Sequence, residues 1–203
     1  MRIVAGRHRG RRLLAPSGDT VRPTSDRVRE ALFDILSHGD YAADGIPFVG
    51  AAVLDAFAGT GAIGLEALSR GAAEAVFIER DPEALASLRK NVGALGEGAH
   101  ARIVAGDATR PPRAVVPCGL AFIDPPYHSG LAATALIALA AAGWLAPNAV
   151  AIIEIGRRES LAPPPGFAVI DERVYGHTRL VFLARESSGR PSAAAPRDNR
   201  FPC

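Results

Sequence analysis

Short apolar segments alternate with segments of helical periodicity between residues 51 and 155, and this alternation limits the possible folds more than any other feature. The predicted buried strands are AAVLDAFA, EAVFIER, ARIVAGD, GLAFIDPP and AVAIIEI. Predicted helices are GAIGLEALSRG, residues 82–95 and residues 131–142. Strands that alternate with helices predict an α/β fold with a parallel, doubly wound sheet.

Both ends of this alternating region carry further predicted elements. FAVIDERVYGHTRLVFLAR predicts two strands joined at residues 175–177, which would add an antiparallel edge and bring the sheet to seven strands. At the start, RIVAG and RRLLAP flank Arg-His-Arg-Gly and predict a β-hairpin. RVREALFDILSHG predicts a helix that begins after Thr24-Ser25-Asp26 and stops at Gly39.

These patterns divide the chain into three parts. Residues 1–21 are predicted to form a basic N-terminal hairpin extension, and residues 22–185 the α/β domain. Residues 186–203 are polar, rich in proline and without periodicity, which predicts a disordered tail.

A glycine loop lies between the first strand of the alternating region and its helix. Gly59, Gly61 and Gly64 match the pattern G-x-G-x-x-G, and the acid Glu79 ends the next strand about 20 residues later, where it can hold ribose hydroxyls. The pattern is typical of two classes of ligand, dinucleotides and S-adenosylmethionine.

Asp55 favours the second class. It ends the first strand, four residues before Gly59, where its carboxylate would repel a pyrophosphate that approaches the helix N-terminus. The same carboxylate suits a ligand that carries an ammonium and a sulfonium group. The loop therefore predicts S-adenosylmethionine, with a dinucleotide as the alternative.

A third acid, Asp107, ends the third strand. Its carboxylate can accept a hydrogen bond from the exocyclic amine of adenine, or it can cap a helix, since aspartate is favoured at that position. Because Asp55, Glu79 and Asp107 end successive strands, the sequence favours the ligand role.

The fourth strand runs into Asp124-Pro125-Pro126-Tyr127. Two prolines stiffen the loop, so the Asp124 carboxylate and the Pro125 carbonyl can accept both hydrogens of a planar amine. Such contacts turn the nitrogen lone pair toward a methyl donor, and Tyr127 offers a ring for stacking a base. Catalysis would then come from in-line positioning, and no ligand spacing in the sequence predicts a metal.

Charge is concentrated near the N-terminus. Residues 1–30 carry eight arginines and three acids, whereas the whole chain has a net charge of only +2. A basic segment on a mildly acidic body points toward a polyanion, although a solvated charged end has the same composition. The absence of an apolar leader, of a long apolar stretch and of a cysteine framework leads us to expect a cytoplasmic protein with no membrane contact.

The glycine loop and the loop Asp124–Tyr127 together resemble those of Rossmann-like class I methyltransferases. Within that class, the chain resembles the RsmD family of 16S rRNA guanine-N2 methyltransferases. The resemblance runs from residue 1 to about residue 185. It rests on RIVAGRHRGRRL, RPTSDRVREALFDIL, LDAFAGTGAIGLEALSRGA, Glu79, GDA, DPPY and VYGHTRLVF, in family order. The long Arg/Pro tail departs from the family pattern.

The resemblance implies methyl transfer from S-adenosylmethionine to the N2 amine of a guanine in 16S rRNA, in the small ribosomal subunit or its assembly intermediate. It also implies that Thr24 and Arg27 lie near the methionine end of the cofactor, although Arg27 can equally be a surface charge of its helix. Arg7, Arg9, Arg11 and Arg22 would contact phosphates, and alternation in the hairpin would point the first three to one side. We expect a monomer, and we assign Arg29, Glu30 and Glu66 to helix surfaces.

The candidate residues fall into three sets. The catalytic set is Asp124, Pro125, Pro126 and Tyr127, and the RNA-binding set is the four arginines Arg7, Arg9, Arg11 and Arg22. The cofactor set is Thr24, Arg27, Asp55, Phe57, Ala58, Gly59, Gly61, Glu79, Arg80, Asp107 and Ala108.

Two alternative functions fit parts of the sequence. The loop Asp124–Tyr127 alone also suits a DNA adenine-N6 methyltransferase, although no separate domain for target recognition is evident. A non-catalytic RNA-binding assembly factor could keep the same fold. The sequence does not specify the methylated nucleotide or whether naked rRNA or a particle is the substrate.

Overall fold

The computed structural model describes residues 1–15, 26–39, 41 and 47–186. Helix α1 precedes a series in which strands and helices alternate, and a strand pair ends the domain. The elements are α1 (Asp26–His38), β1 (Ala52–Ala56), α2 (Ala62–Ser69), β2 (Glu74–Glu79), α3 (Pro82–Leu95), β3 (Ala101–Ala105), β4 (Cys118–Ile123), α4 (Leu131–Ala141), β5 (Leu145–Gly156), β6 (Phe167–Tyr175) and β7 (Thr178–Arg185).

All seven strands form one sheet in the order β3-β2-β1-β4-β5-β7-β6. Strands β1 to β5 are parallel to one another, and β7 runs antiparallel to both β5 and β6. This arrangement confirms the predicted doubly wound sheet with an antiparallel edge. Strand β5 begins four residues earlier than predicted, because Leu145 pairs with Cys118 before a register shift in which β5 contains the extra residues.

Helices cover both faces of the sheet, so the core has two layers. On one face, α1, α2 and α3 pack on side chains such as Val53, Phe77 and Phe122. On the other, α4 packs on Leu54, Ile123 and their neighbours. Alternate residues of each strand thus enter opposite layers, as a parallel sheet buried on both faces requires. None of the described helices is long and apolar enough to cross a membrane.

The first thirteen residues form the predicted hairpin. The Ile3 amide donates to the Arg11 carbonyl (2.9 Å), and the Leu13 amide donates to the Met1 carbonyl (3.2 Å). Residues 7–10 make the turn, as the sequence indicates. Both Ile3 and Leu13 are buried in the layer that holds α1 to α3, so the hairpin is packed onto the domain.

Two surface predictions are wrong, because Arg29 and Glu66 are fully buried. The Glu66 carboxylate accepts hydrogen bonds from the backbone amides of hairpin residues 4 and 5 at 2.7 and 2.9 Å, and from Arg70 at 2.8 Å. Arg29 Nε lies 3.6 Å from the same carboxylate. The hairpin covers these side chains, which helical periodicity alone would leave in water. Glu30 is exposed, as predicted.

Parts of the predicted domain division fall beyond the described residues. Residues 16–25, which include Arg22 and Thr24, and residues 187–203 of the predicted tail lie outside them. The boundaries at residues 21 and 185 therefore stay predictions.

Candidate active site

The candidate site lies between β1 and β4, where the strand order of the sheet reverses: β2 and β3 lie on one side of this point, and β5 lies on the other. Strands β1 and β4 are neighbours, with Ala56 beside Ile123, so the glycine loop and the loop Asp124–Tyr127 leave the same edge side by side. The Asp124 amide donates to the Ala56 carbonyl at 3.3 Å. Carboxyl ends of parallel strands at such a switch point form the crevice that binds ligands in open α/β sheets.

The glycine loop is shaped by its glycines and by a buried acid. Gly61 has a φ of 79°, a left-handed conformation that glycine adopts without strain. A Cβ on Gly64 would lie 2.4 Å from the Phe77 ring, so this glycine allows α2 to pack closely on β2. The Gly64 amide donates to Asp55 at 2.9 Å. The loop is therefore fixed by Asp55, a member of the predicted cofactor set.

Asp55 is 3% exposed. Burial, together with the nearby Glu79, raises its pKa from 3.8 to about 7, against the lowering effect of the Gly64 amide. A carboxyl group that is costly to ionise alone is stabilised as an anion by a cationic ligand. The chemistry of this buried acid therefore fits a ligand with positive charge and does not fit a pyrophosphate.

Glu79 binds the loop rather than lying free beside it. Its carboxylate accepts hydrogen bonds from the amides of Gly59 (2.7 Å), Arg80 (2.7 Å) and Asp81 (2.8 Å). Phe57 and Ala58 lie between Asp55 and Gly59, and Phe57 has a φ of 62°. A phenylalanine in this region is strained by about 1–3 kcal/mol, and such strain is concentrated at functional sites.

Asp107 caps a turn, not a helix. Its carboxylate accepts from the Thr109 amide at 2.8 Å and hydroxyl at 2.7 Å, and it lies 3.3 Å from the Arg80 guanidinium. These Thr109 hydrogen bonds, helped by Arg80, lower the Asp107 pKa. Because residues 107–110 form a turn, the helix-capping alternative is wrong. Ala108 is buried beside it, and Arg80 is exposed.

In the Asp124–Tyr127 loop, polar and aromatic groups lie at the surface above a buried proline. Asp124 is half-buried, Pro125 is buried, and Pro126 and Tyr127 are exposed. The Tyr127 hydroxyl donates to Glu154 at 2.8 Å and lies 2.8 Å from the Thr178 hydroxyl. The loop thus presents a carboxylate and a ring side by side at the crevice.

The hairpin arginines lie far from this crevice. The Arg7 backbone amide donates to the Ser69 carbonyl (2.8 Å), and its guanidinium donates to the Glu97 carboxylate (2.7 Å). The Arg11 guanidinium donates to the Ala94 carbonyl at 2.8 Å. These partners lie at the C-terminal ends of α2 and α3, about 20 Å along the 14-residue helix α3 from its N-terminus. Because residues 7–10 form the turn, Arg7 and Arg9 do not lie in an alternating strand, and a shared direction of the three arginines stays a prediction.

Phosphate binding by these arginines stays a prediction. Arg9 is exposed at the turn, whereas Arg7 and Arg11 have the protein partners given above. Arg27 is exposed in the first turn of α1, and its pairing with a cofactor carboxylate also stays a prediction.

A known family matches most of the sequence. The family model described as conserved hypothetical protein 95 matches residues 1–184. The chain belongs to the RsmD family.

Relatives of this RsmD-family protein match nearly all of it. It is 37% identical over 195 residues to ribosomal RNA small subunit methyltransferase D of Escherichia coli K12, which covers 95% of this chain and 94% of that protein. The protein of the same name from Haemophilus influenzae is 34% identical over 181 residues, with 87% and 89% covered. A solved structure of an E. coli protein described as a candidate methyltransferase, YhhF, is 38% identical, with a TM-score of 0.77 and coverage of 92% and 98%.

Sequence reasoning about this RsmD-family protein missed two groups that fix the site. Asn91, only 1% exposed, donates to the Thr60 and Leu14 carbonyls at 3.0 Å and accepts from the Leu14 amide, so it joins the hairpin to the glycine loop. Glu154 holds Tyr127. A charged residue inside the apolar strand AVAIIEIG is the signal that would have pointed to Glu154, because an acid in a buried strand requires a partner.

Proposed function

We propose that this protein transfers a methyl group from S-adenosylmethionine to the exocyclic N2 amine of a guanine in small-subunit ribosomal RNA. The observation that carries the proposal is the adjacency of the two loops on β1 and β4, with the Asp124 amide bound to the Ala56 carbonyl. This register supports the proposal because it brings the loop that follows Asp55 and the loop Asp124–Tyr127 to the same edge of the sheet. The names of the E. coli and H. influenzae relatives support ribosomal RNA as the acceptor.

The residues around the glycine loop fit S-adenosylmethionine. Asp55 would face its positive charge, Glu79 would accept from ribose hydroxyls, and Asp107 would accept from the adenine amine. When bound, this cofactor supplies an electrophilic methyl group. Glu79 already accepts three amide hydrogens, which hold its carboxylate in place beside the glycine loop.

On the acceptor side, Asp124 and the Pro125 carbonyl accept the two amine hydrogens and hold the nitrogen lone pair toward the crevice. Tyr127 stacks on the base. Asp124 need not be a strong base, because the amine proton becomes acidic only after the new N–C bond has formed. It can then leave to Asp124 or to water. Positioning and desolvation of the amine provide most of the rate.

Affinity for S-adenosylmethionine is expected to rise with pH between about 5.5 and 7, by up to about tenfold per unit, and then to level off. Since the Asp55 pKa is about 7 without ligand, cation binding at lower pH first requires loss of a proton. Calorimetric titration across this range measures the slope. Asp55→Asn can still accept from the Gly64 amide but has no charge to titrate, so it should lack the slope. An equal slope in both proteins would contradict the assignment.

The same pKa predicts the pH dependence of the ligand-free fold. The unfolded carboxyl ionises near 3.8 and the folded one near 7, so the free energy of unfolding should fall as pH rises between these values. Above pH 7 we therefore expect Asp55→Asn to melt at a higher temperature than the wild type, which thermal unfolding at pH 5 and pH 8 will test.

The function itself is tested by mass mapping of rRNA from a strain that lacks the protein. One methyl group should be missing from one guanine of the small-subunit rRNA, and the wild-type gene should restore it. Purified protein with labelled cofactor should then modify small subunits or their assembly intermediates from that strain. Label that appears only in DNA would instead support an adenine-N6 methyltransferase. We also propose that the protein acts in the cytoplasm, where the proposed substrate is found, and that it acts as a monomer.

A further inference from the structure

The Tyr127 ring is held at its hydroxyl end by two strands of the sheet. Glu154 Oε1, on β5, accepts the hydroxyl hydrogen at 2.8 Å, and Thr178 Oγ1, at the start of β7, lies 2.8 Å from the same oxygen. Glu154 is only 7% exposed, whereas 37% of Tyr127 remains exposed. One end of the ring is thus fixed in the protein while the rest of the side chain still faces solvent.

Glu154 occupies the register position beside Asp124. Ile123 pairs with Ile153 across β4 and β5, and the next residue along each chain is an acid. Neighbouring strands are about 4.8 Å apart, so both acids lie at the same edge of the sheet. Burial raises the Tyr127 pKa, and Glu154 contributes to the increase. The hydroxyl therefore stays protonated and keeps donating to the carboxylate.

We propose that Glu154 is a positioning residue, which acts through Tyr127 to fix the ring in the orientation that receives the target base. This inference rests on the proposed function. A tyrosine on a loop has two side-chain torsions that must be fixed when a base stacks on it, and a hydrogen bond to a buried carboxylate fixes them beforehand. Thr178 supplies a second, neutral contact from the closing hairpin.

The test compares four variants in methyl transfer to small-subunit rRNA. Glu154→Leu removes the acceptor at similar size, and we expect kcat/KM to fall about tenfold, the effect of losing one hydrogen bond to a charged group. Glu154→Gln retains a carbonyl acceptor and should stay within about threefold of the wild type. Tyr127→Phe should match the loss in Glu154→Leu. The double variant should be no worse than either, because both changes break one contact.

Controls separate positioning from folding. Each variant should bind S-adenosylhomocysteine with wild-type affinity, since the glycine loop is unchanged. If Glu154→Leu fails to fold, Glu154→Ala, which also lacks the acceptor, replaces it in the same cycle with Tyr127→Phe. Wild-type kinetics in Glu154→Leu, or losses that multiply in the double variant, would overturn the inference. Failure of the wild type itself to methylate small-subunit rRNA would instead overturn the proposed function.

Discussion

Asp124→Ala is expected to lower kcat for methyl transfer roughly 100- to 1000-fold, the usual effect of removing one group that stabilises charge in a transition state. The substitution removes a carboxylate that accepts from the amine and attracts the positive charge that develops on nitrogen. Because the Asp124 amide, and not its side chain, bonds to Ala56, the loop should keep its place. Initial rates with labelled cofactor and small-subunit rRNA provide the measurement.

Matched variants make this result specific. Asp124→Asn keeps one side-chain carbonyl but no charge, so its rate should lie between those of the alanine variant and the wild type. Binding of S-adenosylhomocysteine and the melting temperature should change little in both. A fully active Asp124→Ala protein would exclude the amine-binding role of the Asp124 carboxylate.

Glu66→Ala is expected to destabilise the fold by about 3–5 kcal/mol, the cost of removing one partner from a buried ionic network. Arg29 would keep its ion pair with Asp26 (2.9 Å) but lose the carboxylate 3.6 Å from its Nε. The amides of hairpin residues 4 and 5 would lose their acceptor. For a domain of this size the melting temperature should fall by roughly 10 °C. Denaturant and thermal unfolding give both quantities.

Two controls distinguish this buried network from ordinary surface charge. Glu30→Ala removes an exposed acid of α1 and should change the free energy of unfolding by less than about 0.5 kcal/mol. Combining Glu66→Ala with Arg29→Met should cost less than the sum of the single changes, since no buried charge then remains unpaired. A Glu66→Ala protein as stable as Glu30→Ala would show that the Glu66 carboxylate does not stabilise the packing of the hairpin on the domain.

The bounds of helix α3 illustrate what local sequence predicts well. Residues 82–95 are predicted and observed, because Pro82 begins the helix, the Asp81 side chain accepts from the Ala84 amide, and Gly96 ends it in a left-handed conformation. The glycine loop is equally local: Gly61, Gly64 and Asp55 act within ten residues of one another. Signals of this kind are complete within one turn or one loop.

The errors arise where partners are distant in the chain. Glu66 and Arg29 have the periodicity of exposed helix positions, but a hairpin about 60 residues before Glu66 covers them. Arg7 and Arg11 belong to the basic segment that suggested nucleic acid, yet they pair with Glu97 and the Ala94 carbonyl more than 80 residues away. Composition and spacing contain no information about such contacts.

The alternation of strands and helices, the glycine loop with Asp55, and the loop Asp124–Tyr127 were readable from the sequence by itself, because each depends on local periodicity and backbone chemistry. Only the tertiary structure decided which groups meet. It joined the Asp124 amide to the Ala56 carbonyl, and it placed the Glu154 carboxylate within hydrogen-bond distance of the Tyr127 hydroxyl, 27 residues away. It also buried the Arg29–Glu66 pair and left the arginine turn at the edge opposite the crevice. Strand order and register determine these contacts, and they arise from long-range pairing that no local pattern encodes.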